Sequence, residues 1–161
     1  MWRWFHGRMH YLNIDLAGHV IGSRPARLLV VDDDPFIRDL HATVLRMNGY
    51  VVATAADGVH ALEQLADEPF DLMLTDWDMP GIDGASVVLA LRSAGSRMPV
   101  IMVSGSLAEA PLPSAIAREI FAAIPKPVRT AEVLSAVARA LRPAPAREGE
   151  YHFFGIANLA A

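Results

Sequence analysis

A doubly wound α/β fold, with one parallel five-stranded sheet covered by helices on both faces, is predicted by three features of this sequence. Short apolar runs recur along residues 26–143, segments with helical periodicity follow them, and Gly, Pro or Asp punctuates the joints. A strand buried on both faces loses the apolar/polar alternation of a half-exposed strand and reads as a continuous Val/Ile/Leu run. Residues 28–31 are such a run. The spacing of Ile37, Leu40, Val44 and Met47 predicts a helix over 35–48, with Pro35 in its first turn and Gly49 just past its end. Residues 50–54 are rich in β-formers, and Asp57 can cap a helix whose apolar positions are Val59, Leu62 and Leu65. The third strand is 70–75 and the third helix 84–94, with Val87, Val88 and Leu91 facing the core. Residues 99–103 form the fourth strand. Pro111 and Pro113 fall where the fourth helix should begin, so that helix is expected to be short or mobile. The fifth strand, 120–124, precedes a helix over 130–142 with Val133, Leu134, Val137 and Leu141 on one stripe. Strands alternating with helices imply right-handed crossovers, and in such sheets ligands sit at the carboxyl ends of the strands.

Composition narrows the function classes. The 161 residues are 53% hydrophobic, enough for one domain with a proper core. A formal net charge of −4 argues against direct nucleic-acid binding, which needs an excess of Lys and Arg on one face. The absence of cysteine excludes disulfides and thiolate metal sites, and suits a reducing compartment. No stretch reaches the roughly 20 apolar residues of a membrane-spanning helix, and 1–15 lack the apolar run of a secretory signal, so a cytoplasmic location without membrane attachment is expected. Residues 1–25 mix Trp2, Trp4, Phe5 and Tyr11 with basic residues and glycines, and are expected to be a flexible extension without regular structure. Residues 144–161, with Tyr151, Phe153 and Phe154, are expected to be a tail.

The chemistry-bearing residues fall at the strand ends. Asp32, Asp33 and Asp34 follow the first strand, Asp76 and Asp78 the third, Ser104 the fourth and Lys126 the fifth. Carboxylates crowded in one cleft raise each other's pKa unless a cation is present, so the cluster calls for a hard divalent ion. Mg²⁺ fits, because it binds through one or two carboxylates and keeps sites for water and phosphate oxygens. Asp76 can then act as a carboxylate nucleophile toward a phosphoryl group, with Ser104 and Lys126 placed to meet its oxygens. Lys126 is the only lysine in the chain, which marks a position where a compact ammonium is needed.

Several ordered motifs make residues 27–142 resemble the receiver domains of response regulators in two-component signalling. Leu28-Leu29-Val30-Val31-Asp32-Asp33-Asp34-Pro35 looks like the first strand with its acidic pair. Asp76-Trp77-Asp78-Met79-Pro80-Gly81-Ile82-Asp83-Gly84 looks like the phosphoacceptor strand end and loop. Val103-Ser104-Gly105 is similar to the hydroxyl position, and Lys126-Pro127 to a lysine followed by a cis proline. The resemblance implies a flavodoxin-like sheet of order 2-1-3-4-5. It implies that Asp33 and Asp76 bind Mg²⁺ directly, that the backbone carbonyl of Asp78 completes the protein ligands, and that Asp32 acts through water. It further implies that a histidine kinase or histidine phosphotransfer protein is the phosphodonor. Phosphorylation would shift Ser104 and a face made by the fourth helix, fifth strand and fifth helix, which a partner protein reads. Such a domain signals and is not an enzyme acting on an external substrate. With 19 residues after Arg142, too few for a DNA-binding domain, output through a partner protein or a relay histidine phosphotransfer domain is expected, as in a stand-alone receiver.

The sequence departs from the family at one switch position. An aromatic residue usually lies three places before the lysine, where this chain has Ala123, so the usual aromatic switch is missing; Phe121, two residues away and on the same strand face, is the one candidate for a partial replacement. Pro125 within the fifth strand requires that strand to be an edge. Two other readings compete: a receiver-like interaction module without phosphate turnover, favoured by Ala123, and a Mg²⁺ phosphohydrolase of the haloacid dehalogenase type, which Asp76-Trp77-Asp78 resembles superficially. The latter carries its Asp-x-Asp motif on the first strand, whereas here an acidic pair precedes it.

Overall fold

The computed structural model describes residues 2–5, 8–14, 20–108 and 112–142. Its larger sheet is parallel and joins β4 (Arg27–Val31), β5 (Val51–Ala55), β6 (Leu72–Asp76), β7 (Val100–Ser104) and β8 (Ala122–Pro125) in the order β5-β4-β6-β7-β8. Numbered within the expected domain this is 2-1-3-4-5, as the family resemblance implies. Helices α1 (Pro35–Met47), α2 (Gly58–Asp67), α3 (Gly84–Ser93) and α4 (Ser114–Ala117) fill the four crossovers, and α5 (Thr130–Ala140) follows the last strand.

Two cores result from the twofold side-chain period of the strands. Leu28, Val30, Leu72, Leu74, Ile101 and Val103 pack on one face against Leu45 of α1 and Val133 and Val137 of α5. Leu29, Val31, Met73 and Met102 face the other way, against Val87 and Val88 of α3 and Ile116 of α4. Every residue of β6 and β7 is buried, which is why both read as unbroken runs. Each fully buried Leu or Val contributes about 1.5–3 kcal/mol, so these central strands fix the sheet. Three helices start on aspartate: Asp34 accepts from Phe36 N, Asp57 from His60 N and Asp83 from Ser86 N, satisfying first-turn amides.

Differences from the sequence reading are local. On α1 the inward face is His41, Ala42 and Leu45, while Leu40 and Met47 of the expected stripe are exposed. The stripe was placed about one position off because alanine and histidine were not counted as core-facing. Val59 of α2 is likewise exposed, and Ala61 takes the buried position. Helix α4 is four residues long, in keeping with Pro113 as its N-cap; Pro111 lies outside the described residues, as does the expected tail 144–161. β8 is an edge strand, and Pro125 stands at its last position opposite Ser104.

The larger correction concerns residues 1–25. Strands β1 (Trp2–Phe5), β2 (Arg8–Ile14) and β3 (Val20–Arg24) form a separate antiparallel sheet with Trp2 opposite Tyr11 and Tyr11 opposite Arg24. Trp2-Arg3-Trp4 and Arg8-Met9-His10-Tyr11 do alternate at a strand period, a signal obscured by reading the basic residues as solvated chain. Arg24, the last residue of β3, forms a two-pronged ion pair with Asp71, just before β6.

Candidate functional site

Strand order decides what meets at the carboxyl edge. β4 and β7 flank β6, so Asp32, one residue past β4, Asp76, the last residue of β6, and Ser104, the last of β7, are neighbours. All three are buried, with 2%, 4% and 1% exposure. Asp33 is exposed at the rim, and oxygens of Asp32, Asp33 and Asp76 lie within 4.8 Å of one another. Lys126, directly after β8, reaches across: its Nζ is 2.8 Å from Asp76 Oδ2 and 3.7 Å from Asp32 Oδ2. The Lys126–Pro127 peptide is cis.

Three carboxylates therefore share one ammonium. Burial pushes the Asp32 carboxyl above its ordinary value, and the like charges of Asp76 and Asp33 add to it, against the Asp34 amide and Lys126, which favour the anion. Burial alone would lower Lys126, but its hydrogen bond to Asp76 and the charges of Asp32, Asp76 and Asp33 outweigh this and raise it, so the lysine stays protonated. His41, buried on α1, is lowered by burial and by the Lys126 charge.

The loops are tightly held. Asp34 N–H donates to Asp32 Oδ1 at 2.9 Å, and Arg38 Nη1 donates to the Asp32 carbonyl at 2.7 Å. Thr75 Oγ1 donates to the Asp76 carbonyl at 2.9 Å. A Cβ on Gly84 would lie 2.1 Å from that same carbonyl oxygen, and one on Gly58 2.3 Å from the Ile82 carbonyl, so the chain passes where only glycine fits. Arg38, Thr75 and Gly58 were not singled out from the sequence. Arg38 could have been found as the first-turn basic residue behind the acidic run; Gly58 carries no local signal, because its constraint comes from a distant loop.

The expected residues do not all converge. Ser104 Oγ donates to Asp78 Oδ2 at 3.0 Å, and Ser106 Oγ donates to the same oxygen at 2.9 Å. Phe121 immediately precedes β8, and its N–H donates to the Val100 carbonyl; the residue is 43% exposed, with the Arg139 guanidinium 5.8 Å from the centre of its ring. Ala123 is exposed in the middle of β8.

Comparisons with known proteins agree with this fold. The family described as response regulator receiver domain matches residues 28–138. A response regulator MprA of Mycobacterium sp. (strain KMS) is 34% identical over 125 residues, covering 78% of this chain and 54% of the relative. The chain thus spans about half the length of the curated relatives it matches. Among solved structures, the chemotaxis response regulator CheY4 of Vibrio cholerae is 30% identical with a TM-score of 0.65, covering 73% of this chain and 100% of that one. The response regulator TrrA of Thermotoga maritima, solved in complex with Mg²⁺-BeF, is 28% identical with a TM-score of 0.65, covering 72% and 99%.

Proposed function

The chain belongs to the response regulator receiver domain family of two-component systems, and from that premise we propose that Asp76 accepts a phosphoryl group from a histidine kinase or histidine phosphotransfer protein. The observation that carries this reading is the Lys126 ammonium 2.8 Å from Asp76 Oδ2, at the end of the central strand and beside two further carboxylates. An Asp76 oxygen attacks the phosphorus of a phosphohistidine; the new O–P bond forms as the P–N bond breaks, and the imidazole keeps the electron pair and takes up a proton. Lys126, held protonated, pairs with a phosphoryl oxygen, and the Ser104 hydroxyl donates to another.

The acidic cluster fits Mg²⁺: two buried carboxylates and one at the rim share a single ammonium, an arrangement that a hard divalent ion relieves. Asp33, Asp76 and the Asp78 carbonyl would hold it, with Asp32 acting through water, and when bound it supplies neutralisation of the charge spread over the phosphoryl oxygens. The TrrA complex supports this assignment by likeness. Residues 26–143 form the receiver domain, and 1–25 and 144–161 are appended to it. The domain acts in the cytoplasm as a signalling module, through a partner protein that reads the face of α4, β8 and α5, without touching nucleic acid; among the described residues no helix is long and apolar enough to cross a membrane.

Incubation with Mg²⁺ and acetyl phosphate should yield a base-labile adduct of one phosphoryl group, seen by mass spectrometry, and none with Asp76→Asn. An adduct of equal yield on that variant would move the acceptor elsewhere. No adduct on the wild type would favour the module without phosphate turnover.

A further inference from the structure

The Ser104 hydroxyl is already in use. Its one proton is donated to Asp78 Oδ2 at 3.0 Å, and its oxygen accepts the Ser106 N–H at 3.0 Å. Asp78 Oδ2 also accepts the Ser106 hydroxyl at 2.9 Å. A serine has a single proton to give, so Ser104 cannot serve Asp78 and a phosphoryl oxygen on Asp76 together. Ser104 is 1% exposed, whereas Asp78 and Ser106 are exposed. An exposed carboxylate on a loop is ordinarily free to turn into solvent; here the second hydroxyl fixes the oxygen that captures Ser104.

We propose that the Asp78 side chain competes with the phosphoryl group for the Ser104 hydroxyl, and that Ser106 is the positioning residue that keeps Asp78 in place to do so. This rests on the phosphoacceptor reading of Asp76 and adds a regulation to it: the site holds its own hydroxyl donor parked, and the phosphorylated state must first win it back. The role concerns the Asp78 carboxylate alone and leaves its backbone carbonyl free for the metal. Ser106 also opens the 3₁₀ turn Ser106–Ala108, so release of the clamp loosens the start of the connection to α4.

The test is a double-mutant cycle read by calorimetric titration of the full chain with beryllofluoride in Mg²⁺. Ser106→Ala, which leaves every charge in place, should bind the mimic about three- to tenfold more tightly than wild type, the scale of one hydrogen bond to a charged group weakened at the surface. Asp78→Ala should do at least as much. In a Ser104→Ala background both gains should vanish, because no proton remains to compete for; a merely structural or electrostatic effect would persist there. Unchanged or weaker binding in Ser106→Ala and Asp78→Ala, or gains of equal size without Ser104, would overturn the inference while leaving Asp76 as acceptor. A wild type that fails to bind the mimic at all would instead overturn the phosphoacceptor reading and this inference with it.

Discussion

At the amino end of the large sheet Asp71 accepts three N–H groups, two from the Arg24 guanidinium at 2.7 and 2.8 Å and the Arg27 amide at 2.7 Å, while Arg27 itself pairs with Glu68 and lies over the Phe70 ring at 5.2 Å. At the carboxyl end Asp32, Asp33 and Asp76 crowd around the Lys126 ammonium, with the Arg38 guanidinium on the Asp32 and Asp33 carbonyls. Both ends place charge beside strand termini, yet they resolve it in opposite ways. The amino end matches each carboxylate to donors of fitting geometry and leaves it partly in solvent, where ion pairs cost and contribute little. The carboxyl end gives its buried Asp32 and Asp76 hydrogen-bond donors but leaves negative charge in excess. Natural folds keep such mismatch where a ligand completes it, so the comparison separates a stabilising end from a working end.

The sharpest way to break that distinction is Gly84→Ala. The added Cβ would stand 2.1 Å from the Asp76 carbonyl oxygen and 3.1 Å from Thr75 Oγ1, both in the buried central strand. Either the start of α3 or the end of β6 must move, at a cost of about 3 kcal/mol or more. Urea unfolding should show that loss, and Mg²⁺ binding should fall with it because the displaced strand end carries Asp76. Gly81→Ala is the matched control: its φ of 79° makes any side chain strained, but the added atom meets nothing, so a loss of about 1 kcal/mol with metal binding kept is expected. Equal losses of binding in both would mean that Asp76 is not held by this packing.

Asp32→Asn should move stability the other way. Asparagine can keep the 2.9 Å bond from the Asp34 amide while removing one buried charge, so the metal-free protein should gain about 1–2 kcal/mol, and Mg²⁺ affinity should drop. The sign with pH follows from the raised pKa of Asp32: the folded protein holds that proton more tightly than the unfolded chain, so its penalty is present above the folded-state pKa and is relieved as pH falls toward 3.8. His41 works oppositely, since its lowered pKa gives stability present above 6.5 and lost as pH falls through the folded value. The difference between variant and wild type, measured by thermal melts in chelator, cancels His41. It should shrink on acidification; a difference constant between pH 7 and pH 4 would show that Asp32 is not strained by its burial.

These contrasts also explain what the sequence disclosed. The five strands, the strand-end cluster and Lys126 were legible because burial on both faces and like-charge crowding leave compositional marks within a few residues, whereas the strand order followed from the family resemblance alone. The inward face of α1 was not, since Ala42 and His41 carry no hydrophobic signature, and the constraint on Gly58 lies 24 residues away at Ile82. Nor was the clamp on Asp78 readable, because nothing in Ser104-Gly105-Ser106 says that both hydroxyls turn toward one carboxylate. The β1–β3 sheet was missed for the reverse reason: its alternation was present but outweighed by charge.

The smallest expected effects belong to the amino end, and they separate its two donors. Arg24→Ala removes a two-pronged pair whose guanidinium side is 58% exposed, so a loss within about 1 kcal/mol is expected, shrinking further in 0.5 M salt as screening takes over. Asp71→Ala should cost somewhat more, about 1–2 kcal/mol and with weaker salt dependence, because the half-buried Arg27 amide at the start of β4 loses its acceptor as well. Neither change should alter Mg²⁺ or beryllofluoride affinity by more than about twofold, since the two ends are joined only through the rigid strands between them. Denaturant curves at two salt concentrations, run beside the metal titration, read all three quantities at once. A shift in metal affinity on cutting Arg24 from Asp71 would mean that the working end is tuned from the amino end, and the division between the two would no longer hold.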